Sequence, residues 1–280
     1  MEATIIDGFG LAAKIRAEIK LAVSKLKTPP GLTVLLVGEN PASQVYVGGK
    51  EKAALECGFD SKIIRLPESV SEQAVLEQVL QLNANPRVHG ILVQLPLPKH
   101  MDAQKIMLAI NPAKDVDGFH PLNLGKLLMG DTTGLVACTP LGVMKMIAST
   151  GISISGKHAV VLGRSNIVGK PVAQLLLNQN ATVTICHSKT QNLIEQARAA
   201  DILVAAVGQP LFVTAAMIKP GACVIDVGIH RTSDGRVVGD VDFAAAKAVA
   251  GFISPVPKGV GPMTIACLLQ NTLNVAQAGA

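Results

Sequence analysis

The sequence has no Trp, a single Tyr and no compact run of Lys or Arg. Proteins that bind nucleic acid usually combine a concentrated basic surface with aromatic side chains that stack on bases. The net charge of +5 is therefore interpreted as a diffuse positive excess, which suits small anionic ligands such as phosphorylated cofactors. We expect no nucleic-acid partner.

Long apolar segments are missing as well. No window approaches the roughly 18 uninterrupted apolar residues of a membrane-spanning helix. The N-terminus lacks the basic region and the apolar stretch of a secretory signal. These absences predict a soluble, cytoplasmic protein without a membrane partner.

The cysteines are few, widely spaced and without a Cys-x-x-Cys pair that would suit zinc. They are Cys57, Cys138, Cys186, Cys223 and Cys267. Most of them lie in apolar runs, which predicts reduced thiols in the core.

Hydrophobic periodicity predicts an α/β fold with two regions of alternating strands and helices. Helical spacing between Leu11 and Leu26 predicts an opening amphipathic helix, which Pro29-Pro30 ends. Short apolar runs bounded by turn residues then alternate with helical patterns, which predicts βαβ units and largely parallel sheets. The predicted strands cover 32–37, 62–66, 90–95, 158–162, 181–186, 202–206 and 223–227, and predicted helices cover about 42–57 and the residues after Ser71.

The segment 111–138 separates the two regions, because it is rich in Pro, Gly, Asp and Asn and has weak periodicity. We interpret it as a loop-rich region between domains. The expected domains are therefore 1–138 and 139–261. The last stretch, 262–276, has helical spacing and could pack on either domain.

Gly163 to Gly169 follow a predicted strand and open a predicted helix, the context that a dinucleotide-binding fingerprint requires. Gly163 permits a tight turn, and Gly169 permits close helix packing. Backbone N–H groups at the helix start can hold phosphate oxygens. Ser165 replaces the usual middle glycine, which would keep a pyrophosphate slightly farther away or give it a hydroxyl partner. The motif predicts a dinucleotide site, and an ordinary polar loop is the alternative.

The strand at 181–186 is followed by His187, Ser188 and Lys189 rather than by the carboxylate that binds the ribose hydroxyls of NAD. Arg164, Ser188 and Lys189 suit a ribose phosphate instead. This chemistry favours NADP over NAD as the cofactor.

Tyr46 and Lys50 are four residues apart in a predicted helix, so they project from one face. Gly48 and Gly49 between them each cost about 1 kcal/mol of helix propensity relative to Ala. A lysine near apolar walls can exchange protons near neutral pH, whereas a solvated lysine cannot. From its position alone, Lys50 is expected to be a surface lysine.

Gln94 lies near the end of an apolar run, and ligands bind at the ends of parallel strands. It is either a site residue or a hydrogen-bonded edge residue. The segment from Asp115 to His120, which includes Asp117, begins like a calcium loop, but the closing Glu is missing and Pro121 intervenes. We therefore predict substrate hydrogen bonding here and no metal.

Several segments together resemble the bifunctional methylenetetrahydrofolate dehydrogenase/cyclohydrolase family. They are YVGGKEKA at 46–53, GILVQLPLP at 90–98, KDVDGF at 114–119, TPLG at 139–142, GRSNIVGKP at 163–171, and PVP and GVGPMT at 255–257 and 259–264. The segments occur in the expected order, and the resemblance covers nearly the whole chain.

The resemblance implies an α/β protein of two domains, an N-terminal catalytic domain for folate and a C-terminal Rossmann-type NADP domain, with a cleft between them. It implies that the C-terminal helix, 262–280, returns to the first domain and that two copies form a homodimer through their cofactor domains. The implied activities are NADP-dependent oxidation of methylenetetrahydrofolate and hydrolysis of the methenyl product to 10-formyltetrahydrofolate. Both reactions act on one carbon of a tetrahydrofolate derivative.

The resemblance also implies roles for individual residues. Lys50 would transfer protons, and Gln94 would tune it through a hydrogen bond. Tyr46 would stack on the aminobenzoate ring, and Asp117 would hold the pterin. The implied cofactor contacts are Gly163, Arg164, Ser165, Gly169, His187, Ser188, Thr139 and Ile229. The remaining implied substrate contacts are Leu95, Pro257, Gly261 and Pro262.

The chain departs from the family at two places. Gly48-Gly49 stand where bulkier or polar residues are usual, and we expect them to loosen the helix near Lys50. Lys258 stands where glycine is usual and adds a charge to its loop. Two other functions stay open: a different NADP-linked dehydrogenase with Lys50 as general base, acting for example on a hydroxy or amino acid, or an inactive nucleotide-binding protein that keeps the fold.

Overall fold

The computed structural model describes residues 2–279, which form two compact units. Unit 1 comprises the chain up to Ala12 together with Thr139–Thr264. Unit 2 comprises Ala13–Cys138 and the chain from Ile265 onward. The division therefore falls within the first and the last helix.

Strands and helices alternate along most of the chain, as the sequence pattern predicts. The strands are β1 Thr4–Ile5, β2 Gly31–Val37, β3 Asp60–Leu66, β4 Gly90–Val93, β5 His158–Leu162, β6 Thr182–Cys186, β7 Ile202–Ala205, β8 Cys223–Asp226, β9 His230–Arg231, β10 Val237–Val238 and β11 Phe252–Ile253. The α-helices are α1 Gly8–Val23, α2 Pro41–Glu56, α3 Glu72–Ala84, α4 Ala103–Ala109, α5 Pro121–Leu128, α6 Cys138–Ser149, α7 Gly169–Asn178, α8 Leu193–Arg198, α9 Phe243–Ala246 and α10 Val260–Ala278, and a 3-10 turn covers Ala215–Met217.

Unit 2 is built around a three-stranded parallel sheet in the order β3-β2-β4. Every residue of β2 is buried, as expected for a central parallel strand with both faces covered. Helix α2 begins at Pro41, and the side chain of its N-cap Asn40 accepts a hydrogen bond from Ser43 N. Ser71 caps α3 in the same way. These local signals fix where the helices follow the strands.

Unit 1 contains a six-stranded parallel sheet in the order β1-β11-β8-β7-β5-β6. Strand β7 is a wholly buried apolar run, and β8 is wholly buried and apolar except for its last residue, Asp226; buried apolar runs are typical of central strands in such sheets. From β5 the chain continues to β6 on one side and returns to β7 on the other. Ligands bind at the carboxyl ends of strands where the strand order reverses in this manner.

The structure corrects the sequence-based organisation in two places. Residues up to Ala12 group with unit 1 rather than with the first domain, because β1 pairs with β11. The segment expected to be loop-rich contains α5, which begins at Pro121. The ring of His120 caps α5 by accepting a hydrogen bond from Leu122 N. A two-residue strand and a two-turn helix are both too short for periodicity to reveal.

All five cysteines are buried as thiols in the core, as the sequence predicted. Between residues 2 and 279, no helix combines the length and the hydropathy that crossing a bilayer requires. Over the same range, no group of three or more His, Cys, Asp or Glu side chains is arranged to hold a metal ion.

Candidate active site and nucleotide pocket

Lys50 lies on the inner face of α2. The buried residues of this helix recur at helical spacing, as Ser43, Val47, Lys50 and Ala54, together with Ala53. Lys50 is only 7% exposed, whereas the side chain of Lys52 in the same helix is 79% exposed. The expectation that Lys50 is a surface lysine is therefore wrong. The helix runs unbroken from Pro41 to Glu56 through Gly48-Gly49, and the expected loosening by these glycines stays a prediction.

The ammonium group of Lys50 donates a hydrogen bond to Gln94 Oε1 at 3.0 Å. Gln94 follows β4, and its own Nε2 donates to the carbonyl oxygen of Leu95 at 2.7 Å. The second bond fixes the amide so that its oxygen faces the lysine. Gln94 is thus hydrogen-bonded to another predicted site residue, and its assignment as a site residue stays a prediction.

Asp117 lies close enough to Lys50 for their charges to interact. Burial raises the pKa of Asp117, the Lys50 ammonium opposes that rise, and the Asp115 carboxylate adds to it. Tyr46 is 41% exposed, and partial burial raises the pKa of its phenol. Unit 2 thus brings the four predicted catalytic side chains into one region: a buried lysine, an amide, a carboxylate and a partly exposed aromatic ring.

Asp115 has a different part from Asp117, which the sequence did not distinguish. Its Oδ2 accepts hydrogen bonds from His120 N at 2.8 Å and from Asn123 Nδ2 at 3.1 Å. Burial raises the pKa of Asp115, and these donors oppose the rise. This carboxylate therefore ties the loop to α5 and leaves Asp117 as the candidate for substrate binding.

Sequence reasoning missed Asn271, a buried amide in α10 that supports the Asp117 segment. Its Nδ2 donates to the carbonyl oxygens of Val116 and Val136, each at 2.9 Å. Cys138 Sγ also donates to Val116 O, at 3.1 Å, and burial raises the pKa of this thiol well above its ordinary value. Composition did not single it out, because the same helix also contains Asn274 and two Gln residues.

Unit 1 contains a cavity of about 530 Å³ at the carboxyl ends of its central strands. Its lining includes five of the predicted cofactor residues, namely Gly163, Arg164, Ser165, His187 and Ser188. The other lining residues are Leu162, Cys186, Thr190, Leu193, Ala206, Val207, Gln209 and Phe212. The mixture of apolar walls and a few polar groups fits a nucleotide.

The two glycines of the fingerprint are required by close backbone contacts. Gly163 has a φ of +114°, and a Cβ there would collide with the carbonyl oxygen of Ala206. A Cβ on Gly169 would collide with the carbonyl oxygen of Gly163. Gly163 therefore shapes the pocket, whereas Gly169 lets α7 begin beside it.

Ser165 lies in the loop before α7 and accepts hydrogen bonds at the start of that helix. Its Oγ accepts hydrogen bonds from Val168 N and Gly169 N, both at 3.2 Å. The hydroxyl that replaces the usual glycine therefore satisfies two N–H groups at the start of the helix. In the neighbouring loop, His187 Nδ1 accepts from Lys189 N, and Thr190 Oγ1 accepts from His187 N.

Several predicted contacts lie in unit 1 but outside the lining of this cavity. Thr139 Oγ1 is 2.9 Å from Thr264 Oγ1 and shares a hydrogen bond with it. The side chain of Ile229 lies over Gly261, where a Cβ would be 3.5 Å away from its Cδ1. Three of the predicted folate contacts, Pro257, Gly261 and Pro262, also belong to unit 1. Their roles stay predictions.

Two family models match the chain. The catalytic domain of tetrahydrofolate dehydrogenase/cyclohydrolase matches residues 6–117, and the NAD(P)-binding domain of the same family matches residues 137–280. The chain belongs to the tetrahydrofolate dehydrogenase/cyclohydrolase family. The predicted resemblance is therefore confirmed, as is the predicted α/β class with a catalytic and a nucleotide-binding domain.

Known proteins are similar over almost the whole chain. The bifunctional protein FolD of Enterococcus faecalis is 56% identical over 277 residues, which cover 98% of each chain. The crystal structure of the bifunctional FolD of Campylobacter jejuni has a TM-score of 0.97 and 47% identity, covering 99% of each chain. The Trypanosoma brucei dehydrogenase-cyclohydrolase, solved with NADP cofactor and an inhibitor, has a TM-score of 0.95 and 42% identity, covering 99% of this chain and 98% of that one.

The protein is accordingly a bifunctional dehydrogenase and cyclohydrolase of folate one-carbon metabolism, with NADP as its cofactor. The predicted activities and cofactor are confirmed. A dehydrogenase for hydroxy or amino acids and an inactive nucleotide-binding protein are no longer needed as alternatives. The roles of the individual side chains stay predictions.

Proposed function

We propose that Lys50 is the proton-transfer residue and that its surroundings in unit 2 bind the folate. The observation that supports this most is a buried lysine whose Nζ lies 3.0 Å from a neutral amide oxygen. An amide oxygen accepts a hydrogen bond from an ammonium and from a neutral amine alike. Gln94 can therefore hold the Lys50 side chain in place in either protonation state, whereas an ionised carboxylate in its position would favour the charged ammonium.

Hydrolysis of the methenyl group requires a base and an acid in turn. The base takes a proton from the attacking water, and the acid returns one to the ring nitrogen when the ring opens. A single amine held at the reacting carbon can perform both steps if it starts neutral. We assign both steps to Lys50, with Gln94 as the residue that aims it.

The folate is held by the neighbours of Lys50 in this proposal. Tyr46 offers a partly exposed ring one helical turn away for stacking on the aminobenzoate. Asp117 presents a carboxylate to the polar edge of the pterin, and the backbone of Leu95 lies beside Gln94. Pro257, Gly261 and Pro262 are further proposed folate contacts.

When bound, NADP accepts a hydride from the methylene carbon of the folate. We propose that Arg164 and Ser188 bind its ribose phosphate, because both line the cavity and no carboxylate follows β6. Gly163, Ser165, Gly169 and His187 shape the pocket and the start of α7 around it. Thr139 and Ile229 are further proposed cofactor contacts.

We also propose a cytoplasmic homodimer formed through unit 1, with no nucleic-acid partner. The support for the dimer is that β6 ends the six-stranded sheet and carries Ile185, which is 40% exposed. Leu177, at the end of the adjacent helix α7, is 52% exposed. An edge strand beside apolar side chains is a suitable surface for a second copy.

Substitution of Lys50 by Met tests the central assignment. We expect cyclohydrolase activity to fall by roughly two to four orders of magnitude, because the proton carrier is lost while the helix keeps an unbranched apolar side chain. NADP affinity should stay normal. The measurements are methenyltetrahydrofolate hydrolysis and NADP binding with one preparation.

The matched control is Lys52→Met, since Lys52 lies two residues away in the same helix with an exposed side chain. It should retain both activities. Near-normal hydrolysis by the Lys50 variant would remove Lys50 from the mechanism, and an equal loss in both variants would point to damage to α2.

A further inference from the structure

Two buried carboxylates lie at the end of the central sheet in unit 1 and belong to none of the predicted sites. Asp226, the last residue of β8, is 3% exposed, and Asp240 is 0% exposed. Asp226 Oδ1 accepts hydrogen bonds from Gly228 N and Asp240 N, and its Oδ2 accepts one from Val241 N, all at 2.9 Å. Asp226 thereby fastens the segment that contains Asp240 against the end of β8.

Asp240 in turn binds the backbone that follows β7. Its Oδ2 accepts hydrogen bonds from Val207 N at 2.6 Å and from Gly208 N at 3.0 Å. Its Oδ1 lies 2.7 Å from Nε2 of His230, which is on the short hairpin of β9 and β10. A carboxylate with three such donors is held strongly in place.

Glycines let both carboxylates approach the backbone. A Cβ on Gly228 would collide with the Asp240 carboxylate, and a Cβ on Gly239 would collide with the Asp226 carboxylate. The arrangement thus requires two glycines as well as two acids. It is a built polar network rather than a chance contact.

The backbone that Asp240 holds forms one wall of the nucleotide cavity. Val207, Gln209 and Phe212 line that cavity, whereas Asp240 and His230 do not. Two backbone bonds tie the same segment down further, from Leu211 N to Gly239 O at 3.0 Å and from Val213 N to the carbonyl of Asp240 at 2.8 Å. The position of the wall therefore depends on the segment that the two carboxylates organise.

We propose that Asp240 and His230 are positioning residues for NADP. They hold the 207–212 wall in the shape that the cofactor requires, and they do so without lining the pocket. Since the wall serves cofactor binding, its loss should weaken NADP binding and raise the KM for NADP. Hydrolysis of methenyltetrahydrofolate consumes no NADP and should be unaffected.

The decisive variants are His230→Leu and Asp240→Asn. His230→Leu removes one donor to Asp240, and we expect the Kd and the KM for NADP to rise about tenfold, in keeping with the loss of a hydrogen bond to a charged group. Asp240→Asn should raise them further, because an amide cannot accept from all three donors. His230→Gln keeps a donor and should restore most of the affinity.

His158→Leu is the matched control, because His158 also belongs to unit 1 and bonds through both ring nitrogens, to Ala199 O and Thr184 Oγ1, at the start of β5. It should leave the Kd for NADP unchanged. Titration calorimetry with NADP, dehydrogenase kinetics and cyclohydrolase kinetics are measured on each protein. Wild-type NADP affinity in folded His230→Leu would overturn the proposal, whether or not Asp240→Asn folds. A similar rise in the Kd for NADP in the His158→Leu variant would overturn it as well. So would a loss of cyclohydrolase activity in His230→Leu as large as its loss of NADP affinity.

Discussion

Lys50 in unit 2 and Asp226 in unit 1 are both buried ionisable residues, but their partners differ. Lys50 is 7% exposed and donates to the neutral oxygen of Gln94. Asp226 is 3% exposed and accepts three backbone N–H groups. The lysine is held by one bond that survives a change of charge, whereas the aspartate is built into the backbone.

This difference distinguishes a side chain suited to proton transfer from a side chain suited to holding the backbone in place. A side chain that gives and takes protons needs a partner that tolerates both of its states. Removal of a carboxylate that accepts from three backbone N–H groups would leave those groups without their partner and would disturb the chain around them. The comparison therefore assigns chemistry to the region of Lys50 and preorganisation of the nucleotide pocket to the carboxylates of unit 1.

The largest expected effect is on the pH dependence of stability, and it tests the structural role assigned to Asp226. Burial raises the pKa of Asp226 from 3.8 to about 6, aided by the Asp240 charge and opposed by the three N–H donors. Between these values the folded protein keeps a proton that the unfolded chain has released. The contribution of Asp226 to stability is thus full below about pH 4 and is lost as pH rises through about 6.

The shift corresponds to roughly 3 kcal/mol in the free energy of unfolding. Denaturant unfolding at several pH values should show this decline in the wild type and a shallower one in Asp226→Asn. Asp234→Asn is the control, because the pKa of Asp234 is lowered to about 2, outside the window, by hydrogen bonds from Thr232 and Arg236. Identical slopes for wild type and Asp226→Asn would contradict the assignment.

A smaller expected effect is a change in the KM for NADP that leaves hydrolysis unchanged, and it separates the role of unit 1 from that of unit 2. Arg164→Ala removes an exposed cation from the rim of the cavity, and we expect the KM for NADP to rise roughly ten- to hundredfold, since a charge-assisted bond to phosphate is lost. The KM for NAD should change little, and hydrolysis should not change. Steady-state kinetics with both cofactors measure this.

Lys170→Ala is the control for charge, because Lys170 is an exposed cation in α7 whose Nζ donates to Asn166. An equal rise in KM for both cofactors with Arg164→Ala would show that Arg164 does not recognise the phosphate.

The smallest effect concerns Lys258, which has a φ of +78° and an exposed side chain. A non-glycine residue in the left-handed region is strained, and we expect Lys258→Gly to raise the free energy of unfolding by about 1 kcal/mol. Lys258→Asn, which tolerates this region better, should recover part of the gain. Denaturant unfolding of the three proteins checks the order, and a less stable glycine variant would contradict it.

The sequence predicted the elements whose signals are local. The strand β5 has the predicted bounds, and Ser71 caps α3 where the helix was expected to begin. The fingerprint from Gly163 to Gly169 could be interpreted because strand, turn and helix follow one another directly. Local patterns marked Tyr46, Gln94 and Asp117 only as candidates, and the family resemblance added the specific role of each.

Long-range contacts could not be predicted. The buried face of α2 contains Ser43 and Lys50, so hydrophobicity could not show that the lysine points inward. Asp240 binds Val207, 33 residues earlier in the chain, and Asn271 binds Val116 across 155 residues. Nothing in the spacing of such residues relates them before the sheets bring their loops together.

The most direct measurement replaces the amine of residue 50 and then restores it. Lys50→Cys should lose cyclohydrolase activity, and alkylation with 2-bromoethylamine should return it in proportion to the modified fraction measured by mass spectrometry. The five natural cysteines are buried, so wild-type protein treated in parallel is the control. We expect recovery of hydrolysis with NADP affinity unchanged throughout. An active Lys50→Cys protein, or a fully modified protein that binds NADP normally but stays inactive, would contradict it.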